Sequence, residues 1–254
     1  MPRFDTDKET EEQKTASGFG FSSVRPDQLG ATEYTLVSIV VDKTGSVEPF
    51  AKELLDVQKR VIASCKKSPR ADNLLVRVTH FNNTVDEIHG FMLLEDINPD
   101  DYQEITPRGT TALFDATGSA IDATLQYAEQ LTGQDFDVNA IVVVITDGMN
   151  NAGHTYDPAK IAGAIERIRQ HEEIESILVI LIGIKDPNVT NASWAAEAGT
   201  ALARFKDDAK LDQYVDAGDA TPQKLAKVEG FVSNSISSQS QSLGTGGPSQ
   251  TLTF

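Results

Sequence analysis

Three short stretches carry oxygen-bearing side chains at spacings that suit one task, holding a hard cation. The first is Asp42-Lys43-Thr44-Gly45-Ser46, where alternate positions 42, 44 and 46 can aim several oxygens at one point. Gly45 supplies the backbone freedom for a tight loop. The second runs Pro107-Arg108-Gly109-Thr110-Thr111-Ala112-Leu113-Phe114-Asp115, and the third Thr146-Asp147-Gly148-Met149-Asn150-Asn151. None contains His or Cys. Hydroxyl and carboxylate oxygens suit Mg²⁺, with Mn²⁺ or Ca²⁺ as alternatives, because such ions prefer oxygen ligands and keep bound water. Three separate loops must close on one ion, so the site depends on the whole fold.

The elements around these loops show how that closure is achieved. Thr35–Val41 (TLVSIVV), Ala140–Ile145 (AIVVVI) and Ile177–Ile184 (ILVILIGI) are continuous apolar runs rich in β-branched residues. Such runs read as strands buried on both faces. Amphipathic stretches alternate with them, over 50–66, 112–131, 159–170, 192–203 and 223–236. In the first, Phe50, Leu54, Val57, Val61 and Cys65 fall on one stripe at helical spacing. Leu74–Phe81 and Ile88–Leu94 read as two strands joined by the turn Asn82-Asn83-Thr84, and 211–216 as a short last strand. The expected fold is a three-layer, Rossmann-like α/β domain over residues 31–236. It has a mostly parallel central sheet, one antiparallel edge strand, and helices on both faces. Ligands of such sheets bind where strands end at their carboxyl side, which is where the three loops lie.

Outside that span, residues 1–30 read as a flexible arm, with Phe19 and Phe21 able to dock on the domain. Residues 237–254, dominated by Ser, Gln and Gly, read as a disordered tail. The formal net charge of −16 argues against nucleic acid as a partner and against a basic membrane-surface helix. An acidic chain that attracts an acidic partner needs a local positive centre, and a bound cation supplies one. Cys65 is the single cysteine, so no internal disulfide forms. The charged start and the absence of an apolar run approaching the roughly 20 residues of a membrane span make a cytoplasmic location the expectation.

At the three loops the sequence resembles the von Willebrand factor A family. DKTGS after a buried strand is similar to that family's DxSxS motif, with Thr44 in place of the first Ser. GTTALFDA resembles its second motif, GGTALYDA, and VVVITDGMNN resembles the third, in which Asp-Gly ends a buried strand. The resemblance implies a metal-ion-dependent adhesion site built from Asp42, Thr44, Ser46, Thr111 and Asp147. Thr44 and Ser46 would hold the ion through their hydroxyls, Thr111 when a ligand is engaged, and Asp42 and Asp147 through water and hydrogen bonds. Thr111 rather than Thr110 is chosen because it directly precedes Ala-Leu-aromatic-Asp. Thr110 stands where the family has Gly, and adds bulk to a loop that approaches the ion. The implied function is metal-dependent protein binding, as an adaptor or scaffold whose ion recruits a partner's acidic side chain. By the same resemblance the partner includes an ATPase-containing complex, and the chain is not an enzyme.

The alternative is phosphoryl transfer. Asp42-Lys43-Thr44-Gly45 also looks like the DKTGT motif of P-type ATPases and their haloacid-dehalogenase relatives, in which the Asp is a nucleophile beside Mg²⁺. The GTTALFDA loop has no place in that scheme. Among other residues, His80, His89, His154 and His171 are scattered and read as structural or surface histidines. Cys65, Trp194 and Phe205 read as core, Asp115 as a favourable charge at the start of its helix, and Asn150 and Asn151 as turn residues. Lys43 and Arg108 flank the site. The glycosylation-type triplets at Asn82, Asn188 and Asn191 read as chance.

Overall fold

The computed structural model describes residues 8–170, 174–186, 192–245 and 250–254, without the side chains of 192–195. In chain order the elements are β1 (Thr10–Lys14), β2 (Gly20–Val24), β3 (Glu33–Asp42), α1 (Ala51–Cys65), β4 (Leu74–Phe81), β5 (Val85–Leu93), α2 (Leu113–Thr132), β6 (Asp137–Thr146), α3 (Pro158–Gln170), β7 (Ile177–Lys185), α4 (Ala192–Asp208), β8 (Gln213–Asp219) and α5 (Pro222–Ser242). The strands form one eight-stranded sheet in the order β1-β2-β5-β4-β3-β6-β7-β8. From β4 through β3, β6 and β7 to β8 all neighbours are parallel.

The apolar strands are buried because helices cover both faces. Alternate residues of β3 point opposite ways, as the pleat requires. Val37, Ile39 and Val41 pack with Leu54, Val57 and Val61 of α1 and with Leu225, Val228 and Val232 of α5. Leu36 and Val40 pack with Ala120 and Ile121 of α2, Ile161 and Ile165 of α3, and Leu202 and Phe205 of α4. This is the three-layer, Rossmann-like architecture of von Willebrand factor A domains. The stripe expected on the first helix is buried throughout. No helix among the described residues is long and apolar enough to cross a membrane.

Two pairs are antiparallel: β4–β5, joined by the tight turn at Asn82–Thr84, and β1–β2. β5 is not the outer edge, however. The residues read as a flexible arm supply β1 and β2, and β2 lies alongside β5, with Ser23 opposite Phe91. The arm is fixed by contacts remote in sequence: Phe21 and Val24 are buried, Tyr127 Oη donates to Val24 O at 2.8 Å, and Glu87 accepts from Ser22 N and Oγ. Glu87 also accepts from the fully buried Arg77 at 2.7 Å. Gly90 makes this approach possible, since a Cβ there would lie 2.0 Å from Ser22 O.

The tail also differs from the expectation. α5 continues to Ser242, because polar side chains there satisfy strand ends. Asn139 Nδ2 donates to Gln239 O, and Gln239 Nε2 donates to Ala140 O. Further on, Gln213 Nε2 donates to Leu252 O, and the Phe254 ring meets Phe231 at 5.6 Å.

Candidate metal centre

Asp42 is the last residue of β3 and Thr146 the last of β6, adjacent parallel strands with Val41 opposite Ile145. The chain leaves β3 through α1 to β4 on one side, while β6 flanks it on the other. Strand order therefore reverses at β3, which opens a crevice at the carboxyl ends.

Asp42 is wholly buried, and both its oxygens are engaged: Oδ1 accepts from Thr44 N at 2.7 Å and Oδ2 from Thr146 Oγ1 at 2.6 Å. The loop after it turns into a short 3-10 helix, Gly45–Phe50. That turn places the Thr44 hydroxyl 2.9 Å from the Ser46 hydroxyl, and Ser46 Oγ donates to Asp147 Oδ1 at 2.8 Å. With the Ser46 proton on Asp147, the Thr44 hydroxyl donates to Ser46 or to the adjacent Asp42 carboxylate. The Thr44 oxygen then keeps its lone pairs for another acceptor-seeking group. Thr44 and Asp147 are buried, whereas Ser46 faces outward.

The second loop is strapped to the first and third. Arg108 N donates to Lys43 O at 2.9 Å and Gly45 N reaches Gly109 O at 3.4 Å. Gly109 adopts a φ of +80°, where a Cβ would meet Asn83 Oδ1 at 2.5 Å. Thr111 is buried, its N–H donates to Asn151 Oδ1 at 2.7 Å, and its carbonyl accepts from Asn151 N and Ala152 N. The Thr111 hydroxyl makes no hydrogen bond among the described residues. Thr110 is exposed, so its extra bulk points away from the packed seam. The structure thus joins Asp42, Thr44, Ser46 and Asp147 in one hydrogen-bonded group, and sets Thr111 on the loop laced beside it.

Burial raises the pKa of Asp42. Burial, and then the neighbouring Asp42 charge, push Asp147 up to about 7. Two carboxylates therefore share a dry corner without a cationic side chain between them, since Lys43 Nζ is paired with Asp86. No group of three or more His, Cys, Asp or Glu side chains able to hold a metal occurs among the described residues. The donor set is two carboxylates and neutral hydroxyls, which fits a hard divalent cation and not a thiolate or imidazole metal.

Several residues that the sequence does not assign to the site support its loops. Thr146 holds Asp42; its signal was a hydroxyl residue directly before the Asp-Gly pair. Asn82 had been read as a turn and a chance glycosylation triplet. Its buried amide accepts from Thr84 N and donates to Arg108 O, and its backbone carbonyl accepts from Ala112 N. It is closed to modification in the folded chain and anchors the second loop. Asn150 Oδ1 accepts from Phe114 N at 3.0 Å. Asp115 lies in the first turn of α2, as read from the sequence, and also accepts from the backbone N–H groups of His154, Thr155 and Tyr156. His80 and His89 are buried, Cys65 and Phe205 are core, and His154 is exposed. His171, Asn188, Asn191 and the Trp194 side chain lie outside the described residues.

No protein-family model matches the chain, and no curated protein matches it. Solved structures do. The PilB minor pilin from Streptococcus sanguinis matches at TM-score 0.53 and 16% identity, covering 87% of this chain and 65% of that one. The pilus adhesin SpaC from Lactobacillus rhamnosus GG matches at 0.52 and 12%, covering 91% and 33%. Proximal thread matrix protein 1 from the mussel byssus matches at 0.50 and 18%, covering 81% and 47%. At these identities the likeness is one of fold. The chain spans about two thirds or less of each of these proteins.

Proposed function

We propose that the chain is a metal-dependent protein-binding domain. Thr44 and Ser46 would hold a divalent cation, Mg²⁺ by the donor chemistry, with Thr111 joining when a ligand is engaged. Asp42 and Asp147 would orient these hydroxyls and any bound water. The observation that carries the reading is the chain of hydroxyls from Thr44 through Ser46 to Asp147 at the sheet's switch point. A hydroxyl that gives its proton toward a carboxylate still offers lone pairs to a cation. An ion held mainly by neutral oxygens stays short of negative charge, and so attracts an acidic side chain from a partner.

What supports binding over turnover is the state of Asp42. A nucleophile needs a free oxygen facing substrate, whereas this carboxylate is buried with both oxygens bonded. On the family resemblance, the partner belongs to an ATPase-containing assembly and the chain serves as its adaptor.

The test begins with chelated protein and adds Mg²⁺ or Mn²⁺. At an ion concentration about 100 times Kd, stability should rise by about 2.7 kcal/mol, a melting shift of roughly 5–11 °C for a domain of this size. Asp42→Ala and Ser46→Ala should abolish the rise. An unchanged melting temperature, or an equal rise in both variants, refutes the site.

A further inference from the structure

Beside the two loops that carry Thr111 and Asp147 lies a mostly apolar cavity of about 280 Å³, with Asn150, Arg204 and Asp208 among its lining. Leu113 and Phe114 line it from the start of α2, Met149 and Asn150 from the loop after β6, and Leu202 and Phe205 from α4. The Phe114 and Phe205 rings pack with centroids 4.6 Å apart, and the Asn150 side chain ties Phe114 to the third loop. The cavity is smaller than the roughly 300–1,000 Å³ typical of cofactor and drug pockets. Its size suits one side chain.

Position connects this cavity to the ion loops. Leu113 lies two residues after Thr111 and Met149 two after Asp147, so at about 3.8 Å per residue the walls begin within about 8 Å of both. In an extended peptide, side chains two apart share a face and are separated by roughly 6.5–7 Å. Charge agrees as well. Arg204 and Asp208 both stand on the cavity's lining, 81% and 52% exposed, and their contact at 3.3 Å is an open surface pair of little strength. The Arg204 guanidinium is available to a peptide that is itself acidic.

Resting on the proposed ion-binding role, we propose that the cavity takes an apolar side chain of the partner, two positions from its ion-engaging acidic residue. The recognised segment is thus an extended strand carrying Asp or Glu with Leu, Met or Phe at the second position before or after it.

A peptide array tests this. Nine-residue peptides with a central Asp in a Ser/Gly background carry single Leu, Met or Phe substitutions at each other position. They are probed with the full chain in Mg²⁺ and in chelator. Binding should be Mg²⁺-dependent and about tenfold stronger with the apolar residue at −2 or +2 than with Ser, the scale expected for burying one such side chain. Ala201→Trp, which fills the cavity from α4, should cut that preference below about twofold while Mg²⁺-dependent binding of the Asp peptides persists. Mg²⁺-dependent binding with no positional preference overturns this inference alone. Absence of any Mg²⁺-dependent signal overturns the acidic-partner reading along with it.

Discussion

Replacing Thr146 by Val isolates one hydrogen bond on which the site rests. Thr146 is 1% exposed and donates to the wholly buried Asp42 at 2.6 Å. Valine keeps the shape and suits a strand, but leaves Asp42 Oδ2 buried without its donor. A lost hydrogen bond to a charged group costs about 1.5–3 kcal/mol. The other contacts of this hydroxyl, from Gly148 N at 3.3 Å and to Gly148 O at 3.4 Å, are long and add little. Taking about 2–3 kcal/mol, the melting temperature should fall by roughly 4–12 °C. Thr146→Ser keeps the hydroxyl and removes one methyl, so its loss should stay near 1 kcal/mol. Urea unfolding in chelator reads both, with an unchanged slope showing that only stability moved. If the Val variant matches the wild type within about 0.5 kcal/mol, or Ser costs as much as Val, the hydrogen-bond argument is wrong.

Gly90→Ala should drive β2 off β5, because the added Cβ would lie 2.0 Å from Ser22 O. Overpacking of this kind costs about 1–3 kcal/mol, and limited proteolysis should cut the arm before the rest of the chain. Asp115→Asn weakens three backbone contacts at residues 154–156, and should cost about 1.5–3 kcal/mol by urea unfolding. His89 is held neutral by burial, its pKa lowered to about 4, with its Nε2 2.7 Å from Tyr102 Oη. Below about pH 6.5 the unfolded chain takes up this proton and the folded chain does not, so stability is present above 6.5 and falls as pH drops toward 4. The slope is about 1.4 kcal/mol per pH unit. His89→Gln should reduce the wild-type slope by about this amount between those limits, while buried His80, whose pKa is lowered to about 3, keeps its own contribution; an unaltered slope refutes the assignment.

What was legible in the sequence followed from local pattern. The runs TLVSIVV, AIVVVI and ILVILIGI are apolar because both faces of their strands are covered, and that property is written in consecutive residues. The convergence of Asp42, Thr44, Ser46 and Asp147 was legible because all four lie within a few residues of where β3 and β6 end. The arm was not, because five-residue strands carry too short a period. β2 is held by Glu87, 65 residues away, and Tyr127, 103 away. The last turns of α5 were hidden by composition. A Ser/Gln run reads as solvated, yet Gln239 is 2% exposed because the start of β6 offers it polar partners. Thr146 and Asn82 escaped for a related reason, since their roles are defined by loops distant in sequence.

The distribution of charge explains why recognition of an acidic partner would need the ion. The chain carries a formal charge of −16, and the basic residue closest to the site in sequence, Lys43, is spent on Asp86. Glu48 lies exposed just past Ser46, and Asp147 feels the negative charge of Asp186. Arg108, which makes no ion pair among the described residues, is one exposed charge on a loop and is weak alone. A carboxylate approaching this face without a cation meets mostly its own sign. With a cation held as proposed, it would meet a divalent centre whose protein ligands are hydroxyls. Recognition should therefore switch with the ion, so that chelation removes binding while leaving the eight-stranded sheet in place.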